Sequence, residues 1–334
     1  MATSPHDQLD EMITGYWISQ AVYAAAKFGI ADLLKDGPKS VEELAESTST
    51  DPDSLYRLLR ALASRGVFAE SGQRQFSLTT LAEPLCSDIP GSKRPLALMS
   101  GDEQFMAWAE IEYSIQTGKT SFDKVFGKPI FDYLGEHPEK AKIFDAAMVG
   151  IHGRESKIIL HAYDFSDIGV LADIGGGNGS LITGILQNHS EMKGILFDLP
   201  HTIERAKDRI EEAGLVSRCD LVGGNFFEEV PHGADAYLMR HIIHDWDDEK
   251  SLLILRNCHR AMPTDSKLLV VESVIPPGNE PFKGKFLDLV MMLLPGGKER
   301  SEVEYQILFD KAGFEITRIV STTTEISVIE ATKK

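Results

Sequence analysis

The stretch LADIGGGNGSLITGIL, residues 171–186, constrains the fold more than any other part of the chain. An apolar run stops at Asp173, three consecutive glycines follow, and a helical pattern starts after Gly179. Glycines at such a strand-to-helix turn let the backbone approach a ligand closely, and the N–H groups at the helix start favour an anionic or strongly polar group. The stretch therefore predicts a ligand site in an α/β domain.

The dinucleotide-binding fingerprint fits this turn incompletely. It requires glycine at its first, third and sixth positions; Gly175 and Gly177 fit, but the sixth position is Ser180. A second apolar strand, GILFDLP, ends at Asp198, about 20 residues past the glycines, where an acid can accept both hydroxyls of a ribose. We therefore expect a ligand that contains a nucleoside, and a nicotinamide-dependent dehydrogenase is the weakest interpretation.

Charge argues against an electrostatic nucleic-acid binder. The 334 residues carry a formal net charge of −17, whereas phosphate neutralisation needs clustered Lys and Arg. An anionic membrane surface would also repel the chain. Because MATSPHDQLDEM contains no basic segment followed by an apolar run, and nowhere do 18 apolar residues follow one another, we expect neither secretion nor membrane spanning but a cytoplasmic protein.

Cysteine usage indicates a reducing compartment. Cys86, Cys219 and Cys258 are widely spaced and form neither a disulfide framework nor a pair at metal-ligand spacing, so no metal is expected. The 43% hydrophobic and 25% charged residues are typical of a globular protein. The chain of 334 residues is long enough for two domains of ordinary size.

Residues 1–98 are predicted to form a mainly α-helical, winged-helix-like domain. Helical stretches with cap-type residues precede VFAESGQRQFSLT, which is typical of a hairpin with its turn at Ser71-Gly72. A DNA reader should be basic, but this segment has nine Lys and Arg against 13 Asp and Glu, so a structural or dimerising role is favoured. A homodimer is predicted because the first helix carries apolar residues that so small a unit can hardly bury: Tyr16, Trp17, Ile18, Val22 and Tyr23.

From about residue 165 the pattern alternates between strand and helix. Strands are predicted in GVLADI, KGILFDL, RCDLVGG, ADAYLMRHII and KLLVVESVI, and EITRIVST and EISVIEAT are the two last strands. The alternation favours a Rossmann-like, mostly parallel sheet with helices on both faces. Turn residues without clean periodicity around 86–104 place a boundary there, so residues 99–334 are expected to form this α/β domain.

In an open parallel sheet, ligands bind beyond the carboxyl ends of the strands. The predicted strand ends supply one rim of polar and aromatic residues: Asp173, Gly175, Asp198, Asn225, Phe226, Arg240, His244, Asp245 and Glu272. Glu299 joins them just before a helix that opens with a capping-box pattern, Ser301 to Glu304. One histidine and two glutamates beside a nucleoside site suggest proton transfer next to a bound cofactor.

Six motifs occur in order along the chain: LADIGGGNG, FDLPHTIERA, GGNFFEEVP, HIIHDWDDEKSLLILRNC, VVESVIPP and PGGKERSEVEY. Together they resemble the S-adenosylmethionine-dependent O-methyltransferases of the caffeate, hydroxyindole and antibiotic-pathway type. TGYWISQAVYAAAKFGIADLL is similar to the N-terminal dimerisation domain of that family. The resemblance implies S-adenosyl-L-methionine as the cofactor, a small aromatic hydroxylated substrate and a homodimer.

The resemblance also implies a role for each matching residue. Those that would hold the cofactor are Asp173, Gly175, Gly177, Asp198, Leu199, Asn225, Phe226 and Arg240. Gly175 and its neighbours would hold the methionine end and Asp198 the ribose. Asn225 and Phe226 would hold the adenine, and Arg240 would lie near the carboxylate. Asn225 replaces the commoner acid, and Arg240 replaces a residue that is usually Lys in plant members.

His244 would be the general base of this family, with Glu272 and Glu299 flanking its imidazole. A sulfonium methyl group is already activated, so the enzyme mainly has to align the acceptor oxygen and exclude water. A phenol is mostly protonated at neutral pH, and a neutral histidine can accept that proton. His241 is the internal alternative, and both residues could be ordinary strand-end histidines.

Two further alternatives stay open. A relative could use the cofactor for decarboxylation or hydroxylation, against which the presence of His244 counts. A non-catalytic winged-helix regulator could sense a nucleoside metabolite, against which the acidic first domain counts.

Aromatic and Met residues favour a flat apolar acceptor: Phe105, Met106, Trp108, Phe122, Phe126, Phe131, Phe144, Met148, Met291 and Met292.

Overall fold

The computed structural model describes residues 4–153 and 155–334. The chain divides into two compact units: Met1–Ala109 with Phe131–Gly153, and Glu110–Ile130 with Arg154–Lys334. Some of the helices after residue 98 belong to the first unit and the others to the second. This division differs from the predicted domains 1–98 and 99–334, which stay a prediction.

The described residues form α-helices along the whole chain. In order they are α1 (Pro5–Lys27), α2 (Ile30–Leu33), α3 (Val41–Thr48), α4 (Pro52–Ala63), α5 (Arg94–Gly101), α6 (Glu103–Trp108), α7 (Ile111–Thr117), α8 (Ser121–Phe126), α9 (Ile130–Glu136), α10 (Pro138–His152), α11 (Glu155–Ala162), α12 (Ser180–Asn188), α13 (Pro200–Glu212), α14 (Asp248–Ala261), α15 (Gly284–Leu293) and α16 (Glu302–Ala312). Among the described helices, none combines the length and the apolar character needed to cross a membrane.

The strands are shorter and belong to two sheets. In order they are β1 (Lys39–Ser40), β2 (Phe68–Ser71), β3 (Gln75–Leu78), β4 (Val170–Ile174), β5 (Lys193–Asp198), β6 (Cys219–Gly223), β7 (Ala236–Arg240), β8 (Lys267–Ile275), β9 (Arg300–Ser301), β10 (Phe314–Ser321) and β11 (Ile326–Lys333). Single 3₁₀ turns lie at Glu83–Leu85 and Ile243–Asp245.

In the first unit, short helices precede a three-stranded sheet. A capping box starts α3, because Ser40 Oγ accepts the N–H of Glu43 at 3.2 Å and the Glu43 carboxylate accepts the N–H of Ser40 at 2.7 Å. β2 and β3 form an antiparallel hairpin, and β1 pairs with β3. Phe68 and Phe76 of the hairpin are buried with Leu59 of α4 in one core. The predicted helices followed by a hairpin are confirmed, but the turn lies at residues 72–74 instead of Ser71-Gly72, because Ser71 still pairs with Gln75.

The second unit is built on a mostly parallel sheet. Its strand order is β10-β11-β8-β7-β4-β5-β6, and β9 pairs with the end of β8. The strands from β8 to β6 are parallel, whereas β11 lies antiparallel to β8 and β10 antiparallel to β11. One apolar core lies between the sheet and α11, α12 and α13, and another lies between the sheet and α14 and α16. The predicted mostly parallel sheet with helices on both faces is confirmed.

One predicted strand is too long. ADAYLMRHII forms β7 only as far as Arg240, and His244 lies beyond it in a 3₁₀ turn. His241 adopts the left-handed backbone region, with φ +56°, which turns the chain out of the sheet. The N–H groups that follow bond to a side chain of β8 instead of a neighbouring strand. This departure places His244 next to the acids described below.

Candidate active site

The glycine-rich loop lies between the end of β4 and the start of α12. Gly175 has φ +70° and donates its N–H to the carbonyl of Phe197 at 2.8 Å. A Cβ at this position would lie 2.5 Å from Ile242 Cδ1, so a side chain there would have to displace Ile242 and adopt a strained positive φ. A Cβ at Gly177 would meet no atom of the described part of the chain within 4 Å, so the loop opens at that point onto space that a ligand can fill.

Two acids stand at the ends of neighbouring strands beside this loop. Asp173 is buried in β4, and burial raises its pKa to about 7 although Arg240 acts in the opposite direction. Its Oδ2 has no hydrogen-bond partner among the residues that the structure describes. Asp198 ends β5; Oδ2 accepts the N–H of Gly177 at 2.9 Å and Oδ1 that of Leu199 at 2.7 Å. Asp198 therefore ties the glycine-rich loop to the next strand.

Asn225 and Phe226 follow β6. Asn225 Oδ1 accepts the N–H of Phe227 at 3.0 Å, and its Nδ2 lies 3.3 Å from Glu228 Oε1, so the amide caps its own loop. The Phe226 ring lies against Trp246, with centroids 6.2 Å apart, and 3.6 Å from the position of a Cβ at Gly175. Phe226 thus borders the glycine-rich loop, whereas the Asn225 side chain is occupied locally.

Arg240 ends β7 on the other side of β4. Its Nη2 donates to Ser180 Oγ at 3.3 Å, at the first residue of α12. Nη1 is buried, makes no hydrogen bond within residues 4–153 and 155–334, and lies 4.0 Å from Glu155 Oε2. The guanidinium therefore faces the start of α12 with hydrogen-bonding capacity left for an anionic group.

His244 is buried in the 3₁₀ turn after β7, among carboxylates. Its Nδ1 lies 2.7 Å from Glu299 Oε1 and 3.4 Å from Glu272 Oε2. Its Nε2 lies 3.6 Å from Asp245 Oδ1. The structure therefore brings the three predicted catalytic residues, His244, Glu272 and Glu299, into contact although they come from three separate segments.

Glu272 fixes the turn as well as facing the ring. It is fully buried in β8, and its Oε1 accepts three successive backbone N–H groups: those of Ile242 and Ile243 at 3.0 Å and that of His244 at 3.3 Å. These bonds are possible because the left-handed residue His241 reverses the chain just before them. One carboxylate oxygen therefore holds the turn, and the other faces the imidazole.

Glu299 reaches His244 from the PGGKERSE segment. A Cβ at Gly297 would lie 1.9 Å from the carbonyl oxygen of His244, so only glycine lets this segment pass so close to the turn. The N–H of Glu299 donates to Asp288 Oδ1 of α15 at 2.9 Å. Both glycine and aspartate thus contribute to the placement of the Glu299 carboxylate.

The carboxylates change the acid–base chemistry of the site. Burial alone would lower the pKa of His244, but the charges of Glu272, Asp245 and Glu299 raise it to about 10. Burial raises the pKa of Glu272, and it raises that of Asp245 to about 6. Because the Glu299 carboxylate accepts a hydrogen bond from Nδ1–H, the lone pair of the neutral ring lies on Nε2.

His241 is close to the same cluster. Its ring centroid is 5.1 Å from that of His244, its Nε2 lies 2.9 Å from Glu155 Oε2, and its Nδ1 lies 3.7 Å from Glu272 Oε2. Sequence reasoning missed Glu155, because nothing in GRESKIIL distinguishes it from a solvent-facing helix residue. Only the folded sheet brings the start of α11 to the end of β7.

Of the expected pocket residues in the second unit, Phe122 is buried and its ring lies 4.4 Å from that of Phe126. Met291 is buried in α15. In the first unit, Phe105, Met106 and Phe131 are exposed by 36%, 47% and 39%. The expected residues thus divide between the two units.

Two family models match the chain. The O-methyltransferase domain matches residues 108–315, and the O-methyltransferase dimerisation domain matches residues 10–88. The first match alone spans more than half of the chain.

Similar proteins carry out both O- and N-methylation. The chain is 48% identical to the phenazine O-methyltransferase PhzM of Lysobacter antibioticus, over 96% of this chain and 94% of that one. It is 31% identical to the phenazine-1-carboxylate N-methyltransferase of Pseudomonas aeruginosa, over 97% and 96% of the two chains.

A solved structure shares the fold and contains a cofactor. It is the O-methyltransferase NcsB1 from neocarzinostatin biosynthesis in complex with S-adenosylmethionine and 2-hydroxy-5-methyl naphthoic acid. The TM-score is 0.86 and the identity 31%, over 95% of this chain and 96% of that one. Family models, relatives and fold agree: the chain belongs to the S-adenosylmethionine-dependent O-methyltransferase family of secondary-metabolite pathways.

Proposed function

We propose that the enzyme transfers a methyl group to the hydroxyl of a small aromatic acceptor, with His244 as the general base. The observation that carries this proposal is the 2.7 Å contact between His244 Nδ1 and Glu299 Oε1, which commits one ring nitrogen and leaves the basic lone pair on Nε2. Glu272 and Glu299 orient the ring and stabilise the imidazolium that forms when the acceptor proton is taken.

The residues of the glycine-rich edge fit S-adenosylmethionine. Gly177 leaves room for close approach, and Gly175 keeps the loop turned with its positive φ. Asp198 is the proposed acceptor for the ribose hydroxyls, and Arg240, whose Nη1 makes no hydrogen bond within the described residues, is proposed to attract the carboxylate. When bound, the cofactor supplies a methyl group activated by a positively charged sulfonium. Asp173, Leu199, Asn225 and Phe226 complete the proposed binding residues, with Phe226 offering an aromatic edge beside Gly175.

The raised pKa of His244 suits a phenolic acceptor. A phenol ordinarily has a pKa of about 10, well above that of a free histidine, about 6.5. With a pKa of about 10, the imidazole takes the phenolic proton in a nearly balanced transfer. At neutral pH most enzyme molecules therefore carry a protonated His244, so turnover should increase as the pH rises and the neutral fraction grows.

The acceptor is proposed to be a planar hydroxylated aromatic, and a hydroxyphenazine is the first compound to test because PhzM is a phenazine O-methyltransferase. Methyl transfer from labelled cofactor should be measured with hydroxyphenazines, hydroxynaphthoates and catechols, each beside its amino analogue. Transfer to hydroxyl acceptors is expected. Transfer to the amino analogues alone would overturn the O-methylation proposal in favour of N-methylation, as in the Pseudomonas relative.

A homodimer formed through α1 is also proposed. Apolar side chains of this helix are left exposed in the single chain: Leu9 by 57%, Met12 by 76%, Ile13 by 61%, Tyr16 by 53%, Trp17 by 61% and Ile18 by 39%. Val22 and Tyr23 are instead partly buried within the first unit. Light scattering at micromolar concentration should give twice the chain mass of 36.9 kDa, and a monomer mass would contradict the proposal.

A further inference from the structure

Arg300, which directly follows Glu299, is fully buried and among the largest side chains in the described core. Its charge is paired with Asp248: Nε and Nη2 donate to Asp248 Oδ1 at 3.1 and 2.8 Å. Nη2 also donates to Ser251 Oγ at 3.2 Å. Burying a guanidinium is costly unless its donors are satisfied, and here an ion pair and a hydroxyl account for only part of them.

The remaining donors go to backbone carbonyls around the catalytic turn. Nη2 donates to the carbonyl of Trp246 at 3.1 Å, and Nη1 donates to those of Ile243 at 3.1 Å and Lys298 at 3.3 Å. The first two carbonyls stand on either side of His244 and Asp245, and Lys298 immediately precedes Glu299. One planar group therefore joins the turn that carries His244 to the segment that carries Glu299.

The third catalytic segment meets the same point. Arg300 pairs with Val274 of β8 in a parallel register, two residues beyond Glu272. Ser251 reinforces the arrangement, because its Oγ lies 3.3 Å from the carbonyl of Ile243 and 3.2 Å from that of Trp246. The guanidinium of Arg300 thus holds the backbone of the His244 and Glu299 segments, and the backbone pairing of Arg300 with Val274 sets both beside the strand that carries Glu272.

Stability alone does not call for an arginine at this position. Buried ion pairs can often be replaced by apolar side chains without loss of stability, so burial of Arg300 is weak evidence for a purely structural role. What a guanidinium provides, and a lysine ammonium does not, is a rigid fork of donors with fixed spacing. Such a fork can hold three carbonyls and a carboxylate at set distances from one another.

We propose that Arg300 is a positioning residue for the proposed reaction: it fixes the distance between His244 Nδ1 and Glu299 Oε1 without contacting acceptor or cofactor. This inference rests on the proposed role of His244 as the base. Loosening the fork should lengthen that hydrogen bond, so the imidazole loses the support of Glu299 and becomes a weaker base.

Several other groups also act on the imidazole. Glu272 of β8 and Asp245 of the same turn raise its pKa, and His241 lies 5.1 Å away between ring centroids. Tyr305 of α16 is buried near Glu272 and Glu299, and its own pKa is raised by burial and by these carboxylates. Because these groups remain in an Arg300 variant, we expect a partial fall in the pKa of His244 and not a return to that of a free histidine.

The test is Arg300→Lys, which keeps the charge and removes the fork, measured in the full chain. Two readouts are needed: the pKa of His244 by NMR of histidine-labelled protein, assigned by the signal missing in His244→Ala, and kcat with both KM values. We expect the pKa to fall by about one unit, which shifts the rising limb of the pH profile to lower pH. After correction for the fraction of neutral His244, kcat should fall roughly 10–100-fold, with KM for the cofactor within about twofold.

Arg218→Lys is the matched control. Arg218 also holds backbone carbonyls with its guanidinium, those of Leu186, His189 and Met192, each at 3.0 Å, but in a part of the unit that carries no proposed catalytic residue. It should change thermal stability without changing the pKa of His244 or kcat.

A lower kcat in Arg300→Lys with an unchanged His244 pKa would overturn the proposal, as would equal losses in the Arg218 control. If Arg300→Lys does not fold, Asp248→Asn takes its place, because it weakens the anchor of the fork and leaves the arginine in position; it should lower both readouts in the same direction. Near-normal turnover of His244→Ala would defeat the proposed base, whereas the NMR readout would still decide the role of Arg300.

Discussion

The glycine-rich loop and the turn that carries His244 lie at the same edge of the sheet, but they are built in opposite ways. The loop, residues 175–179, is nearly all backbone, and at Gly177 it opens onto space. The turn is buried. Glu272 of β8 accepts its backbone N–H groups, and Glu299, just before β9, holds the His244 imidazole.

This difference teaches which substitutions each region should tolerate. In the loop, the geometry depends on the absence of Cβ atoms and on one acid, Asp198. In the turn, it depends on charged side chains that are distant in sequence and satisfied by one another. We therefore expect changes near the loop to alter cofactor affinity, and changes near the turn to alter the rate.

His244→Ala should separate the two regions most strongly. Because the proposed base contacts the acceptor and not the cofactor, kcat should fall roughly 10²–10⁴-fold while the cofactor Kd stays nearly unchanged. Turnover assays and calorimetry measure the two quantities. Turnover of the variant should fall less with a nitro-substituted phenol, which binds largely as phenolate, than with an unactivated phenol.

The control for this variant is His161→Ala, since His161 is exposed on α11 of the same unit. Its kcat and Kd should match the unmodified enzyme. Near-normal turnover of His244→Ala on an unactivated phenol would rule out His244 as the general base. Alignment of the acceptor and desolvation would then be the remaining contributions to catalysis.

The pH profile should distinguish the turn from the loop in the unmodified enzyme. Since carboxylates raise the pKa of His244 to about 10 and the neutral ring is the active form, kcat should increase by about tenfold per pH unit between pH 6 and 8. Cofactor affinity should vary less over this range, because among the proposed cofactor-binding residues only Asp173, with a pKa raised to about 7, is described as titrating there. Glu299→Gln should shift the rising limb to lower pH, and a limb at the same pH would show that Glu299 does not support the ring.

Asp198→Ala should change cofactor affinity at the glycine-rich loop and leave the turn that carries His244 unaffected. The cofactor would lose a carboxylate placed for two ribose hydroxyls, and the N–H of Gly177 would lose its acceptor, so we expect Kd to rise about 10–100-fold. Turnover at saturating cofactor should stay within about threefold. Asp208→Ala, at an exposed position of α13, is the matched control, and equal Kd values for both variants would contradict the assignment of Asp198.

The smallest effect is expected at Asn225. Its amide caps its own loop, and a neutral acceptor contributes of order 1 kcal/mol to an adenine contact, so Asn225→Ala should raise Kd about fivefold. Asn225→Asp should bind at least as tightly as the unmodified chain, because a carboxylate accepts a stronger hydrogen bond. Calorimetry measures both, and an unchanged Kd in the Ala variant would show that this side chain does not contact adenine.

The two regions also differ in how far the sequence predicts them. Strand, glycines and helix of the loop are contiguous in residues 171–186, so local pattern is enough to place Asp173 and Gly175 at one edge. The next strand pattern, GILFDLP, places Asp198 at the same edge. The turn was predicted as part of a strand. Its true conformation depends on φ +56° at His241 and on Glu272, about 30 residues further along, and no local periodicity records such a contact.

Strand ends and family motifs both point to the proposed catalytic acids, whereas neither points to the residues that support them. Arg300 stands in the quoted PGGKERSEVEY, yet an arginine beside two acidic residues reads as a solvated surface residue until its full burial is known. Glu155 has no motif at all, and only the packing of α11 against the sheet brings it to His241. Long-range electrostatics is the part of the site that sequence pattern does not express.

The three N–H groups gathered by Glu272 Oε1 have a consequence for the order in which the protein becomes active. The backbone ladder between β7 and β8 ends where the N–H of His241 bonds to the carbonyl of Val271, and Glu272 is the next residue. The turn can therefore adopt its shape only after β8 has paired in the correct register, since a slip of one residue would turn the carboxylate to the other face of the sheet. During refolding, enzymatic activity should accordingly return together with the complete sheet, which makes turnover a direct reporter of correct strand register.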